Sequence, residues 1–127
     1  MAIPPTAVSF TATLDPHEEL DFVINCGGLL EVGEEITSYT LTPLAEAVAL
    51  GLTIMSGSGR DHALITGDAT YDDNTAVRLW LEIDDTDEGD ASFDAAGVSL
   101  PVEIEFVTNS SPARTRQRTI LVKVAQQ

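Results

Sequence analysis

The most unusual chemistry-bearing segment is an acidic run, Asp84-Asp85-Thr86-Asp87-Glu88-Gly89-Asp90. Clustered carboxylates supply the hard oxygen ligands that calcium takes, and the candidate ligands are Asp84, Asp85, Asp87, Glu88 and Asp90. The spacing is not that of an EF-hand, which alternates its acids around a central glycine and closes on a glutamate. A charge run of this kind reads first as a solvated, mobile loop. Asp68, Asp72 and Asp73 form a second acidic group with the same reading. His17 and His62 lack ligand pairs at helical or hairpin spacing, and zinc needs several convergent ligands. His17, between Pro16 and Glu18, reads as a surface loop residue, and His62 lies in a weak strand beside Asp61. There is no Gly-x-Ser-x-Gly elbow, dinucleotide fingerprint or phosphate loop; Gly57-Ser58-Gly59 is a flexible turn. Cys26 shares strand parity with Leu20, Phe22 and Ile24 and reads as a buried, inert thiol. The expectation is a protein without catalytic residues, metal or cofactor. A calcium- or carbohydrate-binding module using residues 84–94 is the competing class.

The remaining candidates concern interfaces. Arg114, Arg116, Arg118 and Lys123 make up four of the six basic residues. The three arginines alternate, which aims them to one side of a strand. With Asn109 to Pro112 as a hairpin turn, Glu105 falls opposite Arg116 and Glu103 opposite Arg118, where opposite charges stabilise the ladder. That register puts Ile120 and Val122 on the charged side, and a bulge near Thr119 returns them to the core. Alternatively the arginines face an acidic neighbouring subunit. Trp80 is opposite in parity to Val77, Leu79, Leu81 and Ile83. It packs either in a second layer or at an interface, where tryptophan is enriched. Residues 1–5, with Ile3, Pro4 and Pro5, read as an extended arm that either frays or docks on a neighbour.

These side chains hang on a chain whose dominant period is two. Val8, Phe10, Ala12 and Leu14 alternate with polar residues, as do Leu20, Phe22, Ile24 and Cys26. Val77 to Ile83 and Val98 to Phe106 repeat the pattern, each a half-buried strand. Weaker strands are expected at 34–41, 48–55, 61–66 and 115–125. Turn signals separate them at Asp15-Pro16, Gly27-Gly28, residues 56–59, 72–74 and 109–112. Pro101 inside a strong strand implies an edge or a bulge. Residues 42–51 carry a capping Thr42, Pro43 at a first helical position, alanines, and Gly51 at the end, the grammar of one or two helical turns. The competing reading continues the alternation Val48, Leu50, Leu52, Ile54 as a strand.

The length, 127 residues, suits one domain, 6–127, with a core that needs no staples. The expected core comprises Val8, Phe10, Leu20, Phe22, Ile24, Leu52, Ile54, Leu79, Leu81, Leu100, Val102, Ile104, Phe106, Ile120 and Val122. A formal charge of −15 argues against nucleic acid and anionic membranes as partners. One cysteine excludes an intrachain disulfide. No apolar run is long enough for a membrane span, and the N-terminal residues lack the basic and apolar regions of a signal peptide. The Asn109-Ser110-Ser111 sequon therefore carries no weight.

Three stretches resemble a small immunoglobulin-like family of tailed-phage virion proteins. The first runs from Asp15-Pro16 through Glu19-Leu20-Asp21-Phe22. The second is Gly33-Glu34-Glu35-Ile36-Thr37-Ser38-Tyr39-Thr40-Leu41. The third joins Val107-Thr108-Asn109 to Arg114-Thr115-Arg116-Gln117-Arg118-Thr119-Ile120 and Leu121-Val122-Lys123-Val124. The chain departs from the family pattern at Cys26, in the longer 43–51 segment and in the 84–97 insert. The alternation and turns by themselves give about eight short strands, the pattern of an all-β sandwich or small barrel, with one short helix near 43–50; the resemblance implies an immunoglobulin-like antiparallel sandwich of seven to eight strands. It further implies a virion structural protein made in the host cytoplasm. The leading expectation is a capsid decoration (cement) protein that binds the major capsid protein as a homo-oligomer such as a trimer. A head–tail or fibre–tail adaptor is the alternative.

Overall fold

The computed structural model describes residues 7–127. Eight strands are present: β1 (Val8–Leu14), β2 (Leu20–Asn25), β3 (Ile36–Pro43), β4 (Leu52–Ile54), β5 (Ala63–Leu64), β6 (Ala76–Ile83), β7 (Val98–Thr108) and β8 (Thr115–Val124). One short helix, α1 (Ala45–Ala49), and two single 3-10 turns at Gly27–Leu29 and Ala91–Phe93 complete the elements. The strands form two sheets in a sandwich-like arrangement, one ordered β1-β8-β7-β3 and the other β2-β6-β4 with β5 also on β6. β4 at Leu81 and β5 at Val77 and Arg78 pair with β6 residues that β2 already pairs from the other side, so they share one edge and act as one interrupted strand.

Alternation builds the core. Val77, Leu79, Leu81 and Ile83 of β6, with Leu100, Val102, Ile104 and Phe106 of β7, are almost wholly buried in a single cluster. Phe22 and Ile24 of β2 and Ile120, Val122 and Val124 of β8 extend it. Nearly every residue expected in the core is there, with Phe10, Leu20 and Ile54 partly buried against it. Val8 is the exception at 58% exposed. It begins an edge strand whose ladder breaks between Ser9 and Thr13. Past Val8 the chain turns Phe10 onto Phe22, ring centroids 4.8 Å apart, and Leu14 into the interior.

Three further expectations are corrected. The sandwich is not antiparallel throughout, because β1 runs parallel to β8 (Val8 beside Ile120, Leu14 beside Val124). Pro101 lies neither on an edge strand nor in a bulge; β7 is central, and Pro101 is paired with Leu121. It is tolerated because the β3 pairing ends at Pro43–Val102. Just beyond that point its carbonyl accepts the Leu44 N–H at 3.0 Å, and the missing N–H interrupts no ladder. The helix starts later than its capping signals suggest. Thr42 and Pro43 belong to β3, and Leu44 takes the cap position without a side-chain bond. Gly51 ends this segment at φ +85°, and β4 is the short remainder of the expected 48–55 strand.

Gly97 leads into β7 at φ +72°, and a Cβ there would collide with the Val124 carbonyl oxygen and with Ala125. Backbone at that approach cannot yield without unseating the end of β8. Gly97→Ala should therefore cost about 1–3 kcal/mol. Gly89→Ala, whose Cβ meets nothing within 4 Å, should stay within about 0.5 kcal/mol of the parent. Thermal unfolding followed by far-UV circular dichroism compares the two; equal midpoints would contradict this account.

Candidate functional site

The arginine row sits at one end of the sandwich, and its register differs from expectation by one residue. Glu105 pairs with Gln117 and Glu103 with Thr119, so Arg116 lies opposite Phe106 and Arg118 opposite Ile104. The arginines share a face with Ile120 and Val122, and the β7–β8 ladder is continuous where the bulge was expected. Magnitudes explain the choice. Two exposed cross-strand ion pairs are worth about 0.2–1 kcal/mol each. Burying Ile120 and Val122 against Val102 and Leu100 is worth about 1.5–3 kcal/mol per side chain.

Arg114 leaves the ladder at that end and crosses to the β2–β3 connection. Its Nε donates to Glu34 Oε2 at 3.0 Å and its Nη2 to Glu34 Oε1, a two-point clasp. Glu34 Oε1 also accepts the Glu31 N–H at 2.9 Å, and Thr108 joins the group through its hydroxyl. Glu31 adds a looser contact to Arg114 at 3.6 Å. The Arg114 hydrogen bonds, helped by Thr108 and the Glu31 N–H, hold the Glu34 carboxyl down at about 2. Thr108 in turn accepts the Arg114 N–H at 3.3 Å, and its own N–H donates to the Arg114 carbonyl at 2.9 Å. No local motif announces this clasp, because its partners are 80 residues apart.

Beside it lies an apolar groove of about 260 Å³, lined by Val8, Ile24, Cys26, Leu29, Ile120 and Arg118 with Asn25 and Gly28. Cys26 is buried, as its parity suggests, and burial pushes its thiol up to about 11, outweighing the pull of Arg118. Such a thiol is protonated and unreactive near neutrality. Among the described residues no carboxylate lies within ion-pairing distance of Arg116 or Arg118; Arg118 donates to the Gln117 carbonyl at 2.8 Å.

The acidic run 84–90 is folded rather than loose. Asp84 N–H donates to the Gly51 carbonyl, Asp87 N–H to Asp84, and Asp90 N–H to Asp87. Phe93, wholly buried, anchors the far end. Its carboxylates diverge. Asp84 accepts the Thr53 hydroxyl at 2.8 Å, Asp87 covers Gly51, Glu88 faces His17 at 3.6 Å and Asp90 caps the following turn through the Ser92 N–H. Asp85 is exposed. Among the described residues no group of His, Cys, Asp or Glu is placed to hold a metal ion. The second acidic group, with Glu31, Glu34 and Glu35, lines a depression of about 650 Å³. Asp68 accepts the Thr70 N–H and Asp73 the Gly67 N–H, so these acids hold their own loops.

Trp80 stands on the outer face of β6 opposite Asp21, half-buried, with the Arg60 guanidinium 5.2 Å from its ring. His62 precedes β5 rather than lying within a strand, and its Nδ1 meets the Tyr39 hydroxyl at 2.7 Å, bridging the two sheets. His17 lies on the surface beside Asp15, as expected. Ile3, Pro4 and Pro5 lie outside the described residues.

The chain matches no family model, no curated protein and no solved structure.

The depressed Glu34 carboxyl fixes a pH signature. Its ordinary value is 4.5 and its folded value about 2. The stabilisation is complete above the ordinary value and is lost as pH falls through the folded one. Arg114→Gln should lower the unfolding midpoint at neutral pH. The gap to the parent should close as pH drops from about 4.5 to about 2. A gap that stays constant down that range in thermal melts would refute the clasp as its source.

Proposed function

We propose that this chain is a virion structural protein of a tailed phage, with an immunoglobulin-like fold, acting as a capsid decoration protein on the major capsid protein. The observation that carries the reading is the strand order. With β4 and β5 taken as one interrupted strand, seven strands remain. The second, fifth and fourth form one sheet (β2-β6-β4/β5) and the seventh, sixth and third the other (β8-β7-β3). An immunoglobulin-like sandwich distributes its second to seventh strands this way and puts its first beside the second; here the first strand joins β8 instead. The stretches that resemble the phage family fall on the frame of this order: on β2, on β3 and its approach, and along β8.

Function then resides in the surface rather than in chemistry. The carboxylates whose partners are known chiefly hold turns, and the Arg114–Glu34 clasp ties the hairpin end of β8 to the β2–β3 connection. A net charge of −15 keeps many accumulating copies apart from one another and from DNA. Such a body suits a part that is synthesised in the host cytoplasm and added to a preformed shell.

Quantitative mass spectrometry of purified particles from the phage or prophage that encodes the chain tests the reading. Many copies distributed over the head, visible as added density on the capsid lattice, are expected. A few copies at one vertex would replace decoration by the adaptor role. Absence from the particle would overturn both.

A further inference from the structure

We propose that the segment following β2 pairs this chain with a second copy of itself about a two-fold axis, each Val32 seating in the other copy's groove between Val8, Leu29 and Ile120. Val32 is fully exposed at the tip of the β2–β3 connection. A valine left wholly in water is unremarkable alone; this one stands on the rim of the acidic depression with Glu31, Glu34 and Glu35, a few residues along the chain from the apolar groove. Leu29 lines that groove, and three residues of chain reach at most about 10 Å from it to Val32. Knob and hole therefore lie close enough on one copy for an isologous contact in which both seatings form together. Val8, 58% exposed, is the groove's uncovered lip.

Charge complements the apolar fit. Each copy carries −15, which opposes association in general. The groove reverses that field locally, since Arg118 lines it and none of its lining residues is acidic. Glu31, adjacent to Val32, keeps 79% of its side chain in solvent and only a 3.6 Å contact to Arg114. Seating Val32 in the partner brings Glu31 toward the partner's Arg118, and the two-fold repeats the pair. The contact does not depend on the virion reading, and either can fail alone.

Sedimentation velocity of the full chain, over a micromolar-to-millimolar series in moderate salt, should show a concentration-dependent mass rising from 13.5 kDa to twice that value. Val32→Asp, at a position without packing in the monomer, should weaken dimerisation at least tenfold with unchanged far-UV circular dichroism. Glu31→Arg should weaken it as well, and adding Arg118→Glu should restore it. A parent that stays monomeric overturns the proposal. So does a Val32→Asp variant that dimerises like the parent, a folded double variant without rescue, or a trimer or open-ended series in place of a dimer.

Discussion

The structure depends on two apolar rows facing each other across the sandwich, Val77-Leu79-Leu81-Ile83 on β6 and Leu100-Val102-Ile104-Phe106 on β7. Each such side chain contributes about 1.5–3 kcal/mol by leaving water, so the rows together outweigh any surface interaction in the molecule. They set the parity of β6 and β7 and, through the ladder, of β8. Once Ile120 and Val122 are committed to that interior, Arg114, Arg116 and Arg118 must share their face. Arg118 and Arg116 flank the core residues Ile104 and Phe106, and the outermost, Arg114, is free to find Glu34. The clasp is thus a by-product of the rows: a polar closure at the point where apolar packing stops.

The acidic composition has a structural use. Asp15 accepts the His17 and Gln127 N–H groups, Asp61 that of Gly57, Asp68 that of Thr70, Asp73 that of Gly67 and Asp90 that of Ser92. A carboxylate that accepts backbone N–H groups closes a turn and gains from its own charge. Backbone donors accordingly hold the Asp15 and Asp90 carboxyls below their ordinary value. Side chains that repel one another over distance act as local fasteners at short range. In the run 84–90 backbone bonds close the turns, and Asp90 adds such a fastener at its end, ahead of the buried Phe93.

Much of this fold is legible in the chain because period-two alternation needs only neighbours to be recognised. β1, β2, β6 and β7 and most of the core follow from it. What the chain does not show locally has a common physical reason. The β1–β8 pairing, the tolerance of Pro101 and the partner of Arg114 each depend on a segment far away in the chain. At Glu103 and Glu105 burial of Ile120 and Val122, not charge pairing, sets the register. The groove was invisible for the same reason: Val8, Leu29 and Ile120 meet only after the sheets close. Cys26 is buried, as its parity with Ile24 dictates.

The parallel β1–β8 pair has a mechanical meaning. Val8 lies beside Ile120 and Leu14 beside Val124, so the start of the first strand and the end of the last emerge from opposite ends of the pair. A pull on the two chain ends runs along the strands and loads the bonds between them together, in shear. Antiparallel terminal strands would instead open one bond at a time, like a zipper. Ala125 N–H on the Leu14 carbonyl and Gln127 N–H on Asp15 extend the seam, so such a load would be shared beyond the ladder itself. The molecule would transmit tension without unravelling.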